Sequence, residues 1–323
     1  VKGPGATQFL DWFTCNKLPK VGRINLTYAL TSHGTTRTEY TIVRLQENEY
    51  YLVSAGAWTA YDADYLMKSA EDFMAAGGGH VDIHDVTTQW GVFAIAGPKS
   101  RDVLREIVKD ADPDTVLGNK RFPWLSMREI ELGMCPVRAI RVAYTGELGW
   151  ELHHPIEMQN YLWDQLMAAG EPHGLKLVGA RAQNWLRQEK SYRAFGTELG
   201  RDATPLEAGL DRFVDLSKEF HGKERMVATG VRFKCVTVLI DGPGDADPWG
   251  REALYAGDTK VGRLTSGGYS VHFGKQIGMG YVTPEHAGVG TKLKVRMFRE
   301  LHDAEVVEDS PYDPQNAAIR LDG

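Results

Sequence analysis

Apolar residues recur along this chain in two different periods, and the period changes part-way. Residues 39–45 and 50–54 are rich in β-branched and aromatic side chains and flank the polar stretch Gln46-Glu47-Asn48-Glu49, which predicts a hairpin. From 60 to 73 the apolar positions Tyr61, Tyr65, Leu66, Ala70 and Phe73 fall at helical spacing. Residues 136–144 and 149–153 read as strands. Residues 159–169, carrying Leu162, Trp163, Leu166 and Met167, read as a helix, and 180–192 as another. Beyond about residue 233 the helical period is lost. Short strands at 236–240, 253–255, 260–265, 279–282 and 292–297, separated by turns such as Ala256-Gly257-Asp258, predict an antiparallel barrel or sandwich.

The first part contains an internal echo. Val1-Lys2-Gly3-Pro4 followed by an amphipathic stretch has a counterpart in Ile95-Ala96-Gly97-Pro98, which starts 94 residues later. In both, glycine allows a sharp turn, and proline is tolerated at a helix start because its missing N–H has no partner there. Two copies are too few for a solenoid. They predict two similar α+β halves, ferredoxin-like in kind, followed by the β domain. The boundaries read 1–232 and 233–323, with the linker at 220–232.

Composition adds limits. At 323 residues, 42% hydrophobic and 25% charged, the chain is long enough for two domains and has the make-up of a folded globular protein. No stretch approaches the ~18 uncharged apolar residues of a membrane span. A net charge of −6 argues against non-specific nucleic-acid binding. It leaves room for a small anion held by one arginine. Cys15, Cys135 and Cys235 are too few and too far apart for a disulfide framework or a zinc ribbon, and fit reduced thiols in the cytoplasm. The chain opens on Val1, as if at the end of a strand, and this predicts a fragment of a longer protein with a further domain upstream.

Several chemistries find no support. Gly77-Gly78-Gly79 is not followed by a phosphate-loop pattern, and no serine sits in a nucleophile elbow. His80, Asp82 and His84 would share one face of a strand, a conceivable metal site that lacks a fourth ligand and reads more simply as a solvated face; no metal is expected. His153 and His154 would point to opposite faces and so cannot chelate together. There remain a tight turn, Tyr144-Thr145-Gly146-Glu147-Leu148-Gly149-Trp150-Glu151, and Arg181 at the start of a helix, where an anion is favoured. Glu151 could accept two donors from an amino-pyrimidinone ring edge. From spacing alone, ion-paired surface residues fit equally well.

The turn at 144–152, the Arg181 helix, Thr204-Pro205-Leu206-Glu207-Ala208-Gly209-Leu210, Thr265-Ser266-Gly267-Gly268 and Gly278-Met279-Gly280-Tyr281-Val282 together resemble, in order and over essentially the whole chain, the aminomethyltransferase family of the glycine cleavage T-protein. Glu189-Lys190-Ser191-Tyr192-Arg193-Ala194-Phe195-Gly196 is similar to the C-terminal domains of dimethylglycine and sarcosine dehydrogenases, and trimethylamine N-oxide demethylase ends in such a domain too.

The resemblance implies tetrahydrofolate as cofactor. It implies that Glu151 holds the pterin edge, Tyr144 lines the pocket and Arg181 meets the glutamyl tail, with Thr41 and Tyr269 completing the binding set. The family's catalytic aspartate is matched by Glu39, in a segment that also has Thr35 for the family's second glycine. Glutamate reaches ~1.5 Å further, so its role needs a retreat of the backbone or a bridging water. The implied activity is capture of formaldehyde, or of an iminium carbon from an N-methylated amine, as 5,10-methylenetetrahydrofolate. A flavin- or metal-dependent upstream domain would do the redox step. A methyltransferase using an O- or S-methyl donor, or a folate-binding module without turnover, are the alternatives.

Overall fold

The structure is a computed structural model that describes residues 1–243 and 246–322. The first half runs through helix α1 (Ala6–Phe13), strands β1 (Ile24–Leu30), β2 (Thr36–Gln46) and β3 (Glu49–Val53), and helix α2 (Thr59–Ala75). The second half runs through β4 (Trp90–Ala96), α3 (Ser100–Ile107), the short α4 (Pro113–Leu117), β5 (Met127–Leu132), β6 (Cys135–Ile140), β7 (Gly149–Pro155) and α5 (Gln159–Gly170). The hairpin and helices expected from periodicity are all present, with ends shifted by a few residues.

The internal echo is structural. Both turn glycines, Gly3 and Gly97, adopt φ of 120°. Their amides donate to corresponding carbonyls, of Asn48 and Leu148, and the helices that follow are each eight residues long. Burial coincides at three helical positions: Ala6, Phe9 and Leu10 in α1 match Ser100, Val103 and Leu104 in α3. In the first half, Lys2 bridges to Glu49 beside the β1-β2-β3 sheet. In the second, the matching strand β4 is fully formed in the order β4-β7-β6-β5. The halves exchange two backbone hydrogen bonds, Ile24 N–H to Leu125 O and Met127 N–H to Gly22 O, the reciprocal pattern of a local two-fold.

The two glycines differ in surroundings, which gives a test. A Cβ on Gly3 would lie 2.7 Å from the His80 carbonyl oxygen, whereas one on Gly97 meets nothing within 4 Å. Gly97→Ala is expected to cost about 1–2 kcal/mol of backbone strain. Gly3→Ala should cost more, because the clash adds to the same strain. Thermal denaturation of the two variants checks the order, and equal losses would mean that the contact relaxes freely.

Alternation along each sheet decides what faces where. In the first, Tyr40, Ile42 and Tyr50 pack with α1 and α2; in the second, Val137, Ala139, Trp150 and Leu152 form a core with Val103, Leu104, Leu162 and Leu166. The opposite faces meet each other, with Ile24, Val43 and Ile140 in contact at the seam. Glu39, Thr41, Tyr51, Glu151 and His153 therefore belong to the inward faces of two apposed sheets.

Helix α6 (Ala180–Glu189) leads from the body to the barrel, and α7 (Lys223–Thr229) precedes it. The stretch expected to be a linker thus holds a helix, whose Met226 is fully buried with Tyr28, Leu30 and Phe220. Strands β8 (Lys234–Ile240), β9 (Ala253–Ala256), β10 (Thr259–Ser270), β11 (Lys275–Val282), β12 (Lys292–Met297) and β13 (Glu300–Val307) close in the order β10-β11-β8-β13-β12-β9, all antiparallel. The last strand went unread because Glu300-Leu301-His302-Asp303 lacks an apolar run. The Gly267-Gly268 pair has a packing reason: a Cβ on Gly268 would lie 2.2 Å from the Trp185 ring, so glycine lets α6 lie against the barrel wall. Gln188 of α6 donates to Gly267 O at 3.2 Å. After β13 the chain returns to the body, where the Lys190 ammonium donates to the Tyr312 and Asp313 carbonyls and the buried Arg101 and Arg141 bind those of Leu321 and Ile319.

Candidate active site

Glu39 and Tyr28 are directly paired across β2 and β1. Tyr28 is 1% exposed and lies within hydrogen-bonding reach of the Glu39 carboxyl. Glu39 is half-buried, its carboxyl packed close among protein atoms, and this desolvation pushes it up to about 7, against the lowering effect of the Tyr28 hydroxyl. Its neighbourhood contrasts with that of Glu198. Burial also opposes the charge on Glu198, but the Arg187 guanidinium at 2.9 Å and the hydroxyls of Ser266 and Thr265 hold that carboxyl below its usual value. The two glutamates are thus set to opposite ends: the buried Glu198 fixed as an anion, the half-buried Glu39 poised near neutral pH.

Tyr144 is near enough to feel the charge of both. It lies in the loop joining β6 to β7, donates its hydroxyl to the Arg193 carbonyl at 3.1 Å and stacks on Tyr192 with ring centres 6.1 Å apart. Burial raises its hydroxyl, which also feels Arg187, Glu39 and Glu198. Glu151, on β7, is 31% exposed, and one carboxylate oxygen, Oε2, is 3.3 Å from His153 Nε2. His153 Nδ1 is 3.1 Å from the Tyr51 hydroxyl of the other half. Thr41 follows Glu39 by two residues on β2 and so shares its face.

Four of the six residues singled out in the sequence, Glu39, Thr41, Tyr144 and Glu151, thus belong to the space where the halves meet. Arg181 and Tyr269 form a second group at the junction of α6 and the barrel. The Arg181 guanidinium is 73% exposed, pairs with Asp247 at 2.6 Å and lies 5.2 Å from the Trp185 ring, whose other neighbour is Tyr269 at 6.3 Å. A cleft of ≈ 530 Å³ walled by residues 196–203 and by β10 and β11 contains none of the six.

The sequence reading missed Tyr28, Tyr51, His153 and the Arg187–Glu198 pair. Alternation could have joined Glu151 to His153, two residues on. It served instead to separate His153 from His154, and rightly: His154 stacks on Phe93, 4.8 Å away on the far face. Tyr28 and Glu198 were out of reach, because Tyr28 meets Glu39 only through the β1–β2 register and Glu198 draws Ser266 and Thr265 from the barrel. The alternating His80, Asp82 and His84 are not on a strand. Asp82 only bridges Lys2, and His80 and Asp82 make an exposed pair at 3.1 Å. Among the described residues no group of three or more histidine, cysteine or acidic side chains could hold a metal, and no helix is long and apolar enough to cross a membrane. All three cysteines are free and buried, and burial pushes their thiols up, to about 11 for Cys15 and Cys135 and about 12 for Cys235.

Two related α+β halves followed by a closed six-stranded antiparallel barrel define a class of protein, and the sequence identifies which. Residues 1–218 match the GCVT N-terminal domain, and residues 234–313 match the glycine cleavage T-protein C-terminal barrel domain. The chain belongs to the glycine cleavage T-protein (aminomethyltransferase) family, a folate-dependent family, and is an enzyme domain of that type. It is 34% identical to mitochondrial dimethylglycine dehydrogenase of Rattus norvegicus over 100% of its own length and 37% of that protein's, so it spans little more than a third of that relative. It is 28% identical to an aminomethyltransferase of Natranaerobius thermophilus over 97% of this chain and 83% of that one. The crystal structure of glycine cleavage system aminomethyltransferase T from Bartonella henselae has the same fold, with a TM-score of 0.82 and 22% identity over 97% of this chain and 82% of that one.

Proposed function

We propose that this chain uses tetrahydrofolate to capture a one-carbon unit, formaldehyde or an iminium carbon, set free when an N-methylated amine is demethylated. The observation that carries the reading is Glu39: a half-buried, desolvated carboxyl held near 7 on the inward face of its sheet, as Glu151 is on the inward face of the other. When bound, tetrahydrofolate supplies two amine nitrogens that take up a carbon at the formaldehyde level as a methylene bridge, releasing water or the demethylated amine. No oxidant is needed for that step. The amines must shed protons, and a carboxylate that titrates near neutrality is suited to move one. Glu151, partly exposed and held at one oxygen, keeps acceptor capacity for the donor edge of a pterin.

The residues present fit such a ligand. Of the five buried side-chain oxygens without a partner among the described residues, two lie close in sequence to candidate residues: Thr145 Oγ1, beside Tyr144, and Gln188 Oε1, on the Arg181 helix. Both are acceptors, and a pterin brings N–H donors. Aromatic rings of Tyr144 and Tyr192 offer a flat wall. The likeness to dimethylglycine dehydrogenase favours a methylated amine as the source of the carbon, with oxidation in an upstream flavin- or metal-dependent domain of a longer protein.

The test is formation of methylenetetrahydrofolate from tetrahydrofolate and formaldehyde, measured above the spontaneous condensation rate. No acceleration, with tetrahydrofolate bound, would favour a binding module. Methyltetrahydrofolate from a methyl ether or thioether would favour the methyltransferase. Arg181→Ala is expected to weaken tetrahydrofolate binding by only about two- to fivefold, because an exposed ion-pairing cation contributes roughly 0–1 kcal/mol. A larger loss in a titration would place the glutamyl tail in a drier setting than its exposure implies.

A further inference from the structure

Resting on the reading of Glu151 above, we infer that Tyr51 and His153 are positioning residues that set the Glu151 carboxylate for its ligand through a relay beginning in the other half of the molecule. His153 is 1% exposed, and both its ring nitrogens are engaged. An ionised carboxylate only accepts, so the nitrogen facing Glu151 Oε2, Nε2, carries the hydrogen. Nδ1 is then an acceptor, and the Tyr51 hydroxyl donates to it. The tautomer follows from the two partners rather than from the imidazole itself.

The relay is held at each joint. Tyr51 lies on β3 opposite Val43, a seam residue, and its ring meets the imidazole edge-on at 5.6 Å and 83°. Arg138, paired with His153 across β6 and β7, places its guanidinium 5.4 Å from the Tyr51 ring. Burial raises the Tyr51 hydroxyl, so it keeps the proton it donates. Glu151 and His153 are two apart on one strand and share a face. With Oε2 engaged, the carboxylate has fewer orientations open to it. Oε1 keeps both lone pairs and Oε2 one, which is enough for two ligand donors. The benefit is preorganisation: a long side chain is ordered before the ligand arrives.

The test has a spectroscopic arm and a binding arm, both on the full chain. Long-range ¹H–¹⁵N spectra of ¹⁵N-histidine-labelled wild type should show His153 protonated at Nε2. Tetrahydrofolate titration should show Tyr51→Phe weakening binding by about 2–12-fold, the worth of one net hydrogen bond. The same change in a Glu151→Ala background should then do nothing. His153→Gln, whose amide can still donate to Glu151, should bind better than His153→Ala. A proton on Nδ1 overturns the relay even if Glu151→Ala loses affinity, in which case the folate reading stands. A Tyr51→Phe loss that persists in full without Glu151 also overturns it, since the contact would then only tie the halves together. Protonation at Nε2 with no loss in Glu151→Ala removes the folate role of Glu151, and the proposal with it.

Discussion

Glu39→Gln is expected to slow one-carbon transfer by about 10²–10⁴-fold while changing tetrahydrofolate affinity by less than about threefold. Glutamine keeps the length and the hydrogen-bonding reach to Tyr28 but cannot take a proton. The loss should therefore appear in turnover at saturating tetrahydrofolate and formaldehyde. Wild-type turnover should rise with pH through about 7, as the carboxyl ionises, and that inflection should vanish in the variant. Unfolding cannot mimic the result. Because burial raises the folded carboxyl above its unfolded value, the stability it contributes is present below pH 4.5 and is lost as pH rises through about 7. The amide never ionises, so Glu39→Gln should be at least as stable as wild type at pH 8. Glu39→Asp shortens the reach by ~1.5 Å: a large loss indicates direct contact, and near-wild-type activity a bridging water. Equal turnover of wild type and Glu39→Gln would take Glu39 out of the chemistry and favour a non-catalytic binding module.

Glu151→Ala is expected to weaken tetrahydrofolate binding by about 10–150-fold, the equivalent of a charge-assisted hydrogen bond worth roughly 1.5–3 kcal/mol. The alanine also leaves His153 Nε2 without its acceptor, so a modest drop in melting temperature should accompany it. Glu151→Gln separates the two effects. Its amide oxygen can still accept from His153, which preserves stability, while its NH₂ group meets the donors of the ligand and keeps affinity low. A loss below threefold in both variants, with unaltered melting, would move the pterin elsewhere, and the α6–barrel group around Trp185 and Tyr269 would be the next place to look.

The elements were legible in the sequence because each is specified locally. Alternating β-branched residues made the β2–β3 hairpin visible, the spacing of Tyr61, Leu66 and Ala70 made α2 visible, and the repeated Gly-Pro step exposed two related halves. Strand β13 escaped because its opening residues are mostly polar, and α7 because its seven residues, bracketed by Gly222 and Gly230, resemble a connector until Met226 is seen buried. Tyr144, Glu151 and Arg181 could be named as candidates from a turn and a helix start, yet spacing could not separate a ligand site from surface ion pairs. Arg181 does lie on the surface in an ion pair.

By itself, then, the sequence determined the order of elements, the duplication and the residue types available for chemistry, since these depend on neighbours within a few positions. Only the tertiary structure decided that Glu39 is poised near neutrality while Glu198 is locked as an anion. Both are glutamates in unremarkable local sequence. The difference arises because Arg187, eleven residues earlier, and Ser266 and Thr265 of the barrel converge on one of them, whereas the other has only the Tyr28 hydroxyl beside it. The state of a buried charge depends on what long-range packing places within a few ångströms of it and on how far water is excluded. Neither is written in the spacing of residues along the chain.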